Sequence, residues 1–179
     1  MTVGLRQSDP MAWLIAHEDI RQLASRYAVM LDARNFVAVA ELFIPDVGVG
    51  ADQVGRGALV SNFQRQFSTL GRSILQVTNH VIDVADADNA TGIVSCRAEI
   101  EPLDSPATWV VQQIQYHDTY ARVENHWLFV RRKHLMWYGA DMLQRPNDLP
   151  DANWPANHSG KGELPEWYDS WSAWIAMRP

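Results

Sequence analysis

Tyr27, Asp32 and His80 are the residues of this sequence whose types and spacing best suit acid–base chemistry. A neutral histidine beside an aspartate is a good general base, because the carboxylate orients the imidazole ring and stabilises its protonated form. A buried tyrosine hydroxyl can donate a hydrogen bond to a developing negative charge. Together, the three residues would suit removal of a proton from a small molecule held in an apolar pocket.

Each of these residues also fits a structural role when it is taken alone. Tyr27 lies on the apolar stripe of a predicted helix, where a core tyrosine bonded to a backbone carbonyl is the commoner arrangement. Asp32 ends that helix, where a carboxylate gains nothing from the helix dipole, and Asn35 is better placed to cap the next helix. His80 lies in the middle of a predicted strand whose mixed face suits either a structural histidine or a pocket wall.

Further polar side chains cluster on the last two predicted strands. Arg131, Arg132 and Lys133 alternate between the two faces of the final strand, although a strand through a core seldom carries cations on both faces. Arg132 therefore suits either contact with a carbonyl or carboxylate in a pocket or a solvated surface. On the preceding strand, we interpret His117 and Asp118 as cross-strand partners at the surface.

Three helices are predicted before these strands. Residues 11–31 carry apolar side chains at helical spacing after Asp9, which is a suitable N-cap. A second helix over residues 35–43, capped by Asn35, and a third over residues 58–70 follow.

After the helices the hydrophobic period changes to two, which indicates four long strands. They occupy residues 74–84, 91–100, 108–123 and 126–138. Strands in sequence, joined by short turns, predict an antiparallel meander, and helices followed by strands predict an α+β fold. A long sheet of this kind curves, and its concave face together with the helices can enclose an apolar pocket.

Composition excludes several classes of function. The 179 residues are 47% hydrophobic and carry a net charge of -6, which is globular and the wrong sign for a protein that neutralises nucleic-acid phosphates or an anionic membrane. One cysteine cannot form an internal disulfide, so we expect a cytoplasmic protein. No phosphate-binding glycine loop and no metal-ligand spacing occurs, so neither a cofactor nor a metal is expected.

Several short motifs follow one another in a characteristic order. The first helix contains Ile20-x-x-Leu23-x-x-x-Tyr27-x-x-x-x-Asp32, followed by Asn35-Phe36 and Leu42-Phe43. The strands contain Asn79-His80-Val81-Ile82, Tyr116-x-Asp118-x-Tyr120-x-Arg122, His126-Trp127 and Arg131-Arg132. In this order and spacing, the motifs resemble those of SnoaL-like domains in the nuclear transport factor 2-like superfamily, over residues 10–138.

The resemblance implies a cone-shaped α+β barrel, in which a curved antiparallel or mixed sheet packs on the N-terminal helices around a deep apolar pocket. It also implies a homo-oligomer, a dimer or trimer, that binds a small apolar substrate. Tyr27, Asp32 and His80 fall where dehydratases of this family have their tyrosine and Asp-His pair, so we predict these three as catalytic. Arg132, Tyr116 and Trp137 are predicted to bind substrate.

The function predicted on this basis is a cofactor-independent lyase of the dehydratase type, acting on an alicyclic, steroid-like or polyketide-like molecule. His80 would remove a proton next to a carbonyl, Asp32 would orient His80, and Tyr27 would donate a hydrogen bond. The same groups could serve an isomerase or a cyclase. A non-catalytic ligand-binding or assembly subunit, like the β subunits of ring-hydroxylating dioxygenases, is the alternative from a different class.

A tryptophan-rich segment follows this domain. We place the boundary after residue 138, so that residues 1–138 form the domain and residues 139–179 form an extension. Its tryptophans are Trp154, Trp167, Trp171 and Trp174. The last three recur at helical spacing and must pack against something, which leaves core packing, a lid over the pocket and a contact with a neighbouring subunit as alternatives.

Overall fold

The computed structural model describes residues 5–103, 108–142 and 165–178 of the chain. The helices are α1 (Leu5–Ser8), α2 (Pro10–Asp32), α3 (Phe36–Glu41), α4 (Arg56–Phe67) and α5 (Asp169–Met177). The strands are β1 (Gly48–Val49), β2 (Gln53–Val54), β3 (Leu70–Val84), β4 (Asn89–Pro102), β5 (Val110–Val123) and β6 (His126–Asp141). Within the described ranges, none of the helices is both long enough and apolar enough to cross a membrane.

The predicted helix caps are confirmed. The Asp9 carboxylate accepts a hydrogen bond from the Ala12 N–H at 2.9 Å, and the Asn35 side chain accepts one from the Ala38 N–H at 3.1 Å. Each bond satisfies an N–H that has no partner within its own helix. The third helix, predicted over residues 58–70, spans Arg56–Phe67. The prediction is two residues late at the start and three late at the end, where β3 already begins at Leu70.

Strands β3, β4, β5 and β6 form one sheet in that order, and all its pairs are antiparallel. The predicted meander is therefore confirmed. Glu124 and Asn125 have φ of 50° and 66°, as in the tight two-residue turns that join antiparallel strands without splaying them. In the described part of the chain β3 and β6 do not pair, so the sheet is open rather than a closed barrel.

Two irregularities in β6 change which side chains face the helices. Tyr120 pairs with Phe129 while Thr119 pairs with Arg131, so Val130 is an extra residue on β6. Residues three apart on a regular strand point to opposite faces, but this bulge lets Phe129 and Arg132 both face inward. A second register shift leaves Trp137 as the extra residue opposite Gln113 and Ile114.

The core lies between the inner face of this sheet and the helices. The predicted apolar stripe of α2 is buried in full, at Ile20, Leu23, Ala24, Tyr27 and Leu31. Helix α2 crosses β3 and β6. At the end of α3, the Phe129 N–H donates to the Leu42 carbonyl at 2.9 Å, which ties this helix to the sheet.

Helix α5 packs on the same chain. The Trp171 and Trp174 side chains are buried, whereas Trp167 is 75% exposed. The Arg34 guanidinium lies over the rings of Phe67 and Trp171, with its central carbon 4.5 and 5.0 Å from their centres. This is core packing by α5, one of the predicted alternatives. The boundary at residue 138 falls within β6, and the predicted extension is described only over its two ends.

Trp154 and residues 143–164 lie outside the described residues. The residues before Leu5 and residues 104–107, which include part of the predicted turn after β4, also lie outside them.

We expect Trp174→Ala to lower the free energy of unfolding by about 3–5 kcal/mol, because it removes a large buried side chain. The Trp174 ring is 4% exposed and packs edge-on against Phe36, with ring centres 5.1 Å apart. Urea unfolding measures the loss. Trp167→Ala is the matched control and should change stability by about 0.5 kcal/mol or less. Equal effects of the two variants would contradict this docking of α5.

Candidate functional site

The inner face of the sheet, α2 and α4 enclose a cleft with two lobes. One lobe has a volume of about 630 Å³ and the other about 280 Å³. Both are lined by Tyr27, Gln66, Tyr116 and His134, so we treat them as one cavity. The apolar part of the walls includes Phe43, Val47, Leu59, Leu31, Phe63, Phe67, Leu75 and Ile114. Arg131 and Lys133 also line the larger lobe, and Ser73 and Gln112 line the smaller one.

A buried ion pair lies at the wall of this cavity. The Arg132 Nε and Nη2 atoms donate to the two oxygens of Asp118 at 2.9 and 2.8 Å. The side chains are 4% and 0% exposed. Burial alone would lower the pKa of Arg132, but the hydrogen bonds and charge of Asp118 outweigh it and raise that pKa, so the guanidinium stays charged.

The prediction that Asp118 lies at the surface with His117 is wrong. Asp118 pairs directly with Arg132 across β5 and β6, on the inner face of the sheet. The alternative that placed Arg132 in a pocket is the one that the structure supports.

Aromatic rings surround the Arg132 guanidinium. Its central carbon lies 4.4 Å from the ring centre of Tyr27, 4.3 Å from that of Tyr116 and 4.4 Å from that of Phe129. The Nη1 atom is buried and has no hydrogen-bond partner among the described residues. A buried donor without a partner is unfavourable, so an oxygen atom of a bound molecule would relieve a real deficit here.

Tyr27 and Tyr116 add two hydroxyl groups to the cavity. Burial raises the pKa of Tyr27 to about 12 and that of Tyr116 well above its ordinary value. Both hydroxyls therefore stay protonated and can donate hydrogen bonds. Neither has a hydrogen-bond partner within the described ranges, so the backbone-bonded core tyrosine considered for Tyr27 is not what the structure contains.

His134 lines both lobes and is not among the site residues predicted from the sequence. It pairs directly with Tyr116 across the two strands, with ring centres 5.4 Å apart. His134 is exposed as a residue, but desolvation of the part that faces the cavity lowers its pKa, so its imidazole is neutral near pH 7 and can accept a proton. In the sequence, the two-residue spacing of Arg132 and His134 indicates that both side chains share one face of β6. Only the strand register shows that this face meets Tyr116 on β5.

Asp32 binds β3 rather than a histidine. Its carboxylate accepts hydrogen bonds from the Ser73 hydroxyl and the Leu75 N–H, both at 2.9 Å. Burial raises the pKa of Asp32 to about 6 although both hydrogen bonds act to lower it. Asn35 caps α3, as predicted, so Asp32 has a different role: it fastens the end of α2 to the sheet.

His80 lies behind the cavity wall, on the far side of Tyr120 and Asp118 from Arg132. Its Nε2 is 3.1 Å from the Tyr120 hydroxyl, and that hydroxyl donates to Asp118 at 2.9 Å. His80 therefore donates through Nε2–H, and its Nδ1 is buried without a partner among the described residues. Burial lowers the pKa of His80 to about 4. His80 is not among the residues that line the cavity.

The predicted hydrogen bond between Asp32 and His80 is not formed. Asp32 meets β3 at Leu75, and five residues of strand, about 16 Å, separate Leu75 from His80. On α2, the charges that act on His80 are those of His17 and Arg21, and Arg21 lies about 16 Å from Asp32 along the helix. The spacing in the sequence could not show where the helix crosses the strand.

Two other features lie away from this cavity. Trp137, predicted to bind substrate, is the extra residue of a β6 bulge and is 73% exposed, outside the cavity walls. A groove of about 720 Å³ between α2, α3 and the β5–β6 turn contains none of the predicted site residues. Across the described residues, no cluster of three or more His, Cys, Asp or Glu side chains could hold a metal ion.

We expect Asp32→Asn to remove a pH dependence of stability between about pH 4 and 6. Because the pKa of Asp32 is about 6 in the folded protein and about 3.9 in an unfolded chain, the folded state binds more protons in this window. The contribution of Asp32 to stability is therefore largest below about pH 4, falls as the pH rises to about 6, and then stays constant. Urea unfolding of both proteins over this range, compared as a difference, measures the effect. A constant difference would contradict the raised pKa.

A family model described as a SnoaL-like domain matches residues 13–133. Among curated proteins, none matches the chain. Several solved structures match, and the three described next are each covered over more than nine-tenths of their own length.

A candidate scytalone dehydratase from Novosphingobium aromaticivorans is 20% identical, with a TM-score of 0.64, covering 75% of this chain and 92% of its own. Hexachlorocyclohexane dehydrochlorinase LinA-type3 from Novosphingobium barchaimii is 17% identical, with a TM-score of 0.68, and the match covers 75% of this chain and 95% of that protein. A candidate aromatic ring hydroxylase from N. aromaticivorans is 21% identical, with a TM-score of 0.59, and the match covers 69% of this chain and 91% of that protein. At these identities the likeness shows the fold.

The family match covers well over half of the chain. It contains α2 from Trp13 to its end, the sheet as far as Lys133, and the Arg132–Asp118 pair. The solved structures have the same fold. The chain belongs to the family of SnoaL-like domains, with the nuclear transport factor 2-like fold.

Proposed function

We propose that the protein is a cofactor-independent lyase that removes water, or a similar leaving group, from an apolar ring compound bearing a carbonyl. The observation that carries this proposal is the unpaired Arg132 Nη1 in an aromatic cavity that also contains the neutral His134. Because Asp118 already neutralises the Arg132 guanidinium, its free N–H suits an uncharged carbonyl oxygen, while Arg131 and Lys133 are the further cationic side chains that line the larger lobe.

The groups in the cavity can divide the reaction between them. His134 takes the proton from the carbon next to the carbonyl, and the electrons of that C–H bond form an enolate. Arg132 and a tyrosine hydroxyl donate to the enolate oxygen as its charge grows. The enolate then re-forms the carbonyl and expels the β-hydroxyl group, which receives the proton from His134 and leaves as water.

This assignment changes two of the roles predicted from the sequence. Tyr27, Tyr116 and Arg132 keep their predicted contacts with substrate. The role of base passes from His80 to His134, because His134 lines the cavity and His80 does not. Asp32 is assigned to holding α2 on β3, through Ser73 and Leu75.

The names of two structural neighbours support a lyase. One is a candidate dehydratase and another is a dehydrochlorinase, and both reactions are eliminations. An isomerase or a cyclase would use the same base and the same oxygen-binding donors, with the proton returned to another carbon.

Non-catalytic ligand binding is the second candidate function, and one observation favours it. The Asp-His hydrogen bond expected of a dehydratase of this family is not formed, since Asp32 and His80 bind other partners. The cavity would then hold an apolar ligand without transforming it, as a subunit of a larger enzyme could. Turnover separates the two candidates.

We expect the protein to convert a cyclic β-hydroxyketone into the conjugated enone, and His134→Asn to slow this by about 100-fold or more through loss of the base. The absorbance of the conjugated product measures the rate. His117→Asn is the matched control, because His117 is exposed and bonds to Gln115 outside the cavity. If compounds of a broad panel bind to the protein and none of them is converted, the result would favour non-catalytic ligand binding.

The pH profile should identify the same base. Because burial places the pKa of His134 below its ordinary value, the base is free at neutral pH, and kcat/KM should fall only as the pH drops below about 6.5. This acid limb should disappear from the residual activity of His134→Asn. A limb that persists in the variant would assign the base to another residue.

Arg132→Met should lower the free energy of unfolding by about 3–5 kcal/mol, because it leaves the Asp118 carboxylate buried without its partner. The double variant Arg132→Met/Asp118→Leu removes both charges and should recover most of this loss, by urea unfolding. It then provides a folded protein without the proposed oxygen-binding donor. A double variant as unstable as the single one would contradict this account of the pair.

A further inference from the structure

We propose that Tyr120 and His80 are positioning residues, which hold Asp118 and through it aim the free Arg132 Nη1 at the ligand in the cavity. This inference rests on the proposed function, because it concerns the donor that would bind the substrate oxygen. Neither Tyr120 nor His80 lines the cavity, so both would act through Asp118 and not by touching the substrate.

The hydrogen bonds of this chain of groups converge on the Asp118 carboxylate from both sides. His80 donates to the Tyr120 oxygen, Tyr120 donates to Asp118 Oδ2, and Asp118 accepts from Arg132 with both of its oxygens. A carboxylate can rotate about its bond to the Cβ atom, and rotation would turn the guanidinium with it. The third hydrogen bond, from Tyr120, fixes that rotation and therefore the direction of Nη1.

Packing fixes the Tyr120 hydroxyl in turn. Tyr120 is 1% exposed, and its ring lies against Phe129, with ring centres 5.3 Å apart. Burial and the charge of Asp118 raise the pKa of Tyr120, so its hydroxyl keeps the proton that it donates. The residue that follows Phe129 is the bulged Val130, so the same strand segment supports the Tyr120 ring and directs Arg132 inward.

Gly92 supplies an independent sign that space is kept for this hydroxyl. It lies on β4, opposite Asp118 on β5 and Ile82 on β3. A Cβ atom at Gly92 would lie 3.1 Å from the Tyr120 oxygen and 2.9 Å from the Val81 carbonyl oxygen. A glycine in the middle of a central strand weakens it, and here its lack of a side chain leaves the hydroxyl room between His80 and Asp118.

The experiment uses 2-naphthol, a fused aromatic ring with one oxygen, as the probe, titrated by fluorescence into the full-length protein and its variants. Tyr120→Phe should weaken binding about tenfold, the loss expected for one hydrogen bond to a charged network. Tyr138→Phe, on the exposed end of β6, is the matched control and should bind as the wild type does.

Two variants of His80 separate positioning from simple stability. The amide nitrogen of Gln reaches about as far as the imidazole Nε2, whereas that of Asn reaches only as far as Nδ1. His80→Gln should therefore keep the affinity for 2-naphthol, and His80→Asn should lose it as Tyr120→Phe does. Equal affinity of the two variants, whatever their melting temperatures, would overturn the inference.

The double variant Arg132→Met/Asp118→Leu shows which proposal has failed if binding does not change as expected. If it binds 2-naphthol as tightly as the wild type, or if the wild type does not bind the probe, the oxygen-binding role of Arg132 is wrong and the inference falls with it. If the double variant loses affinity while Tyr120→Phe and His80→Asn keep it, only the positioning by Tyr120 and His80 is wrong.

Discussion

The buried pair of Arg132 and Asp118 is the interaction on which the rest of the site depends. Two opposite charges have been taken out of water, and this cost is offset only when the geometry is good and the remaining polar atoms are satisfied. The structure meets the geometric part of this condition with direct cross-strand pairing and two hydrogen bonds, and Arg132 Nη1 is the polar atom of the pair that stays without a partner among the described residues. The rings over the guanidinium come from α2, β5 and β6, so helix docking and strand register are both constrained by one side chain.

The same pair determines which kind of molecule the cavity can hold. The charges of the pair cancel, and much of the cavity wall is apolar. The polar groups of the cavity are mainly donors: an Arg132 N–H, the hydroxyls of Tyr27 and Tyr116, and the side chains of Arg131 and Lys133 in the larger lobe. Donors in an apolar cavity favour oxygen atoms that can gain negative charge, and the low local dielectric makes each such contact stronger than it would be in water.

The sequence was sufficient for the parts of the fold that depend on local patterns. The buried stripe of α2, its Asp9 cap and the antiparallel order of four strands all follow from spacing and residue type. The site was predicted less well, because it depends on which residues face each other between elements. The residues alone leave Arg132 open between a pocket and the surface, and only the family resemblance predicts Arg132 and Tyr116 as pocket residues. The strand pattern wrongly predicts Asp118 at the surface and gives no sign of His134. The Asp32–His80 pairing failed because residue spacing does not define where α2 crosses β3.

The extra residue Val130 has a consequence for how chains of this family are compared. It shifts by one the alternation of β6 side chains between the two faces of the sheet. Which residues after Val130 face the cavity therefore depends on the number of residues in the bulge as well as on side-chain type. Two homologues that differ by one residue in this stretch would present opposite sets of side chains to the cavity while keeping similar compositions. An alignment gap misplaced by a single position there would match Arg132 with a residue that faces away from the cavity.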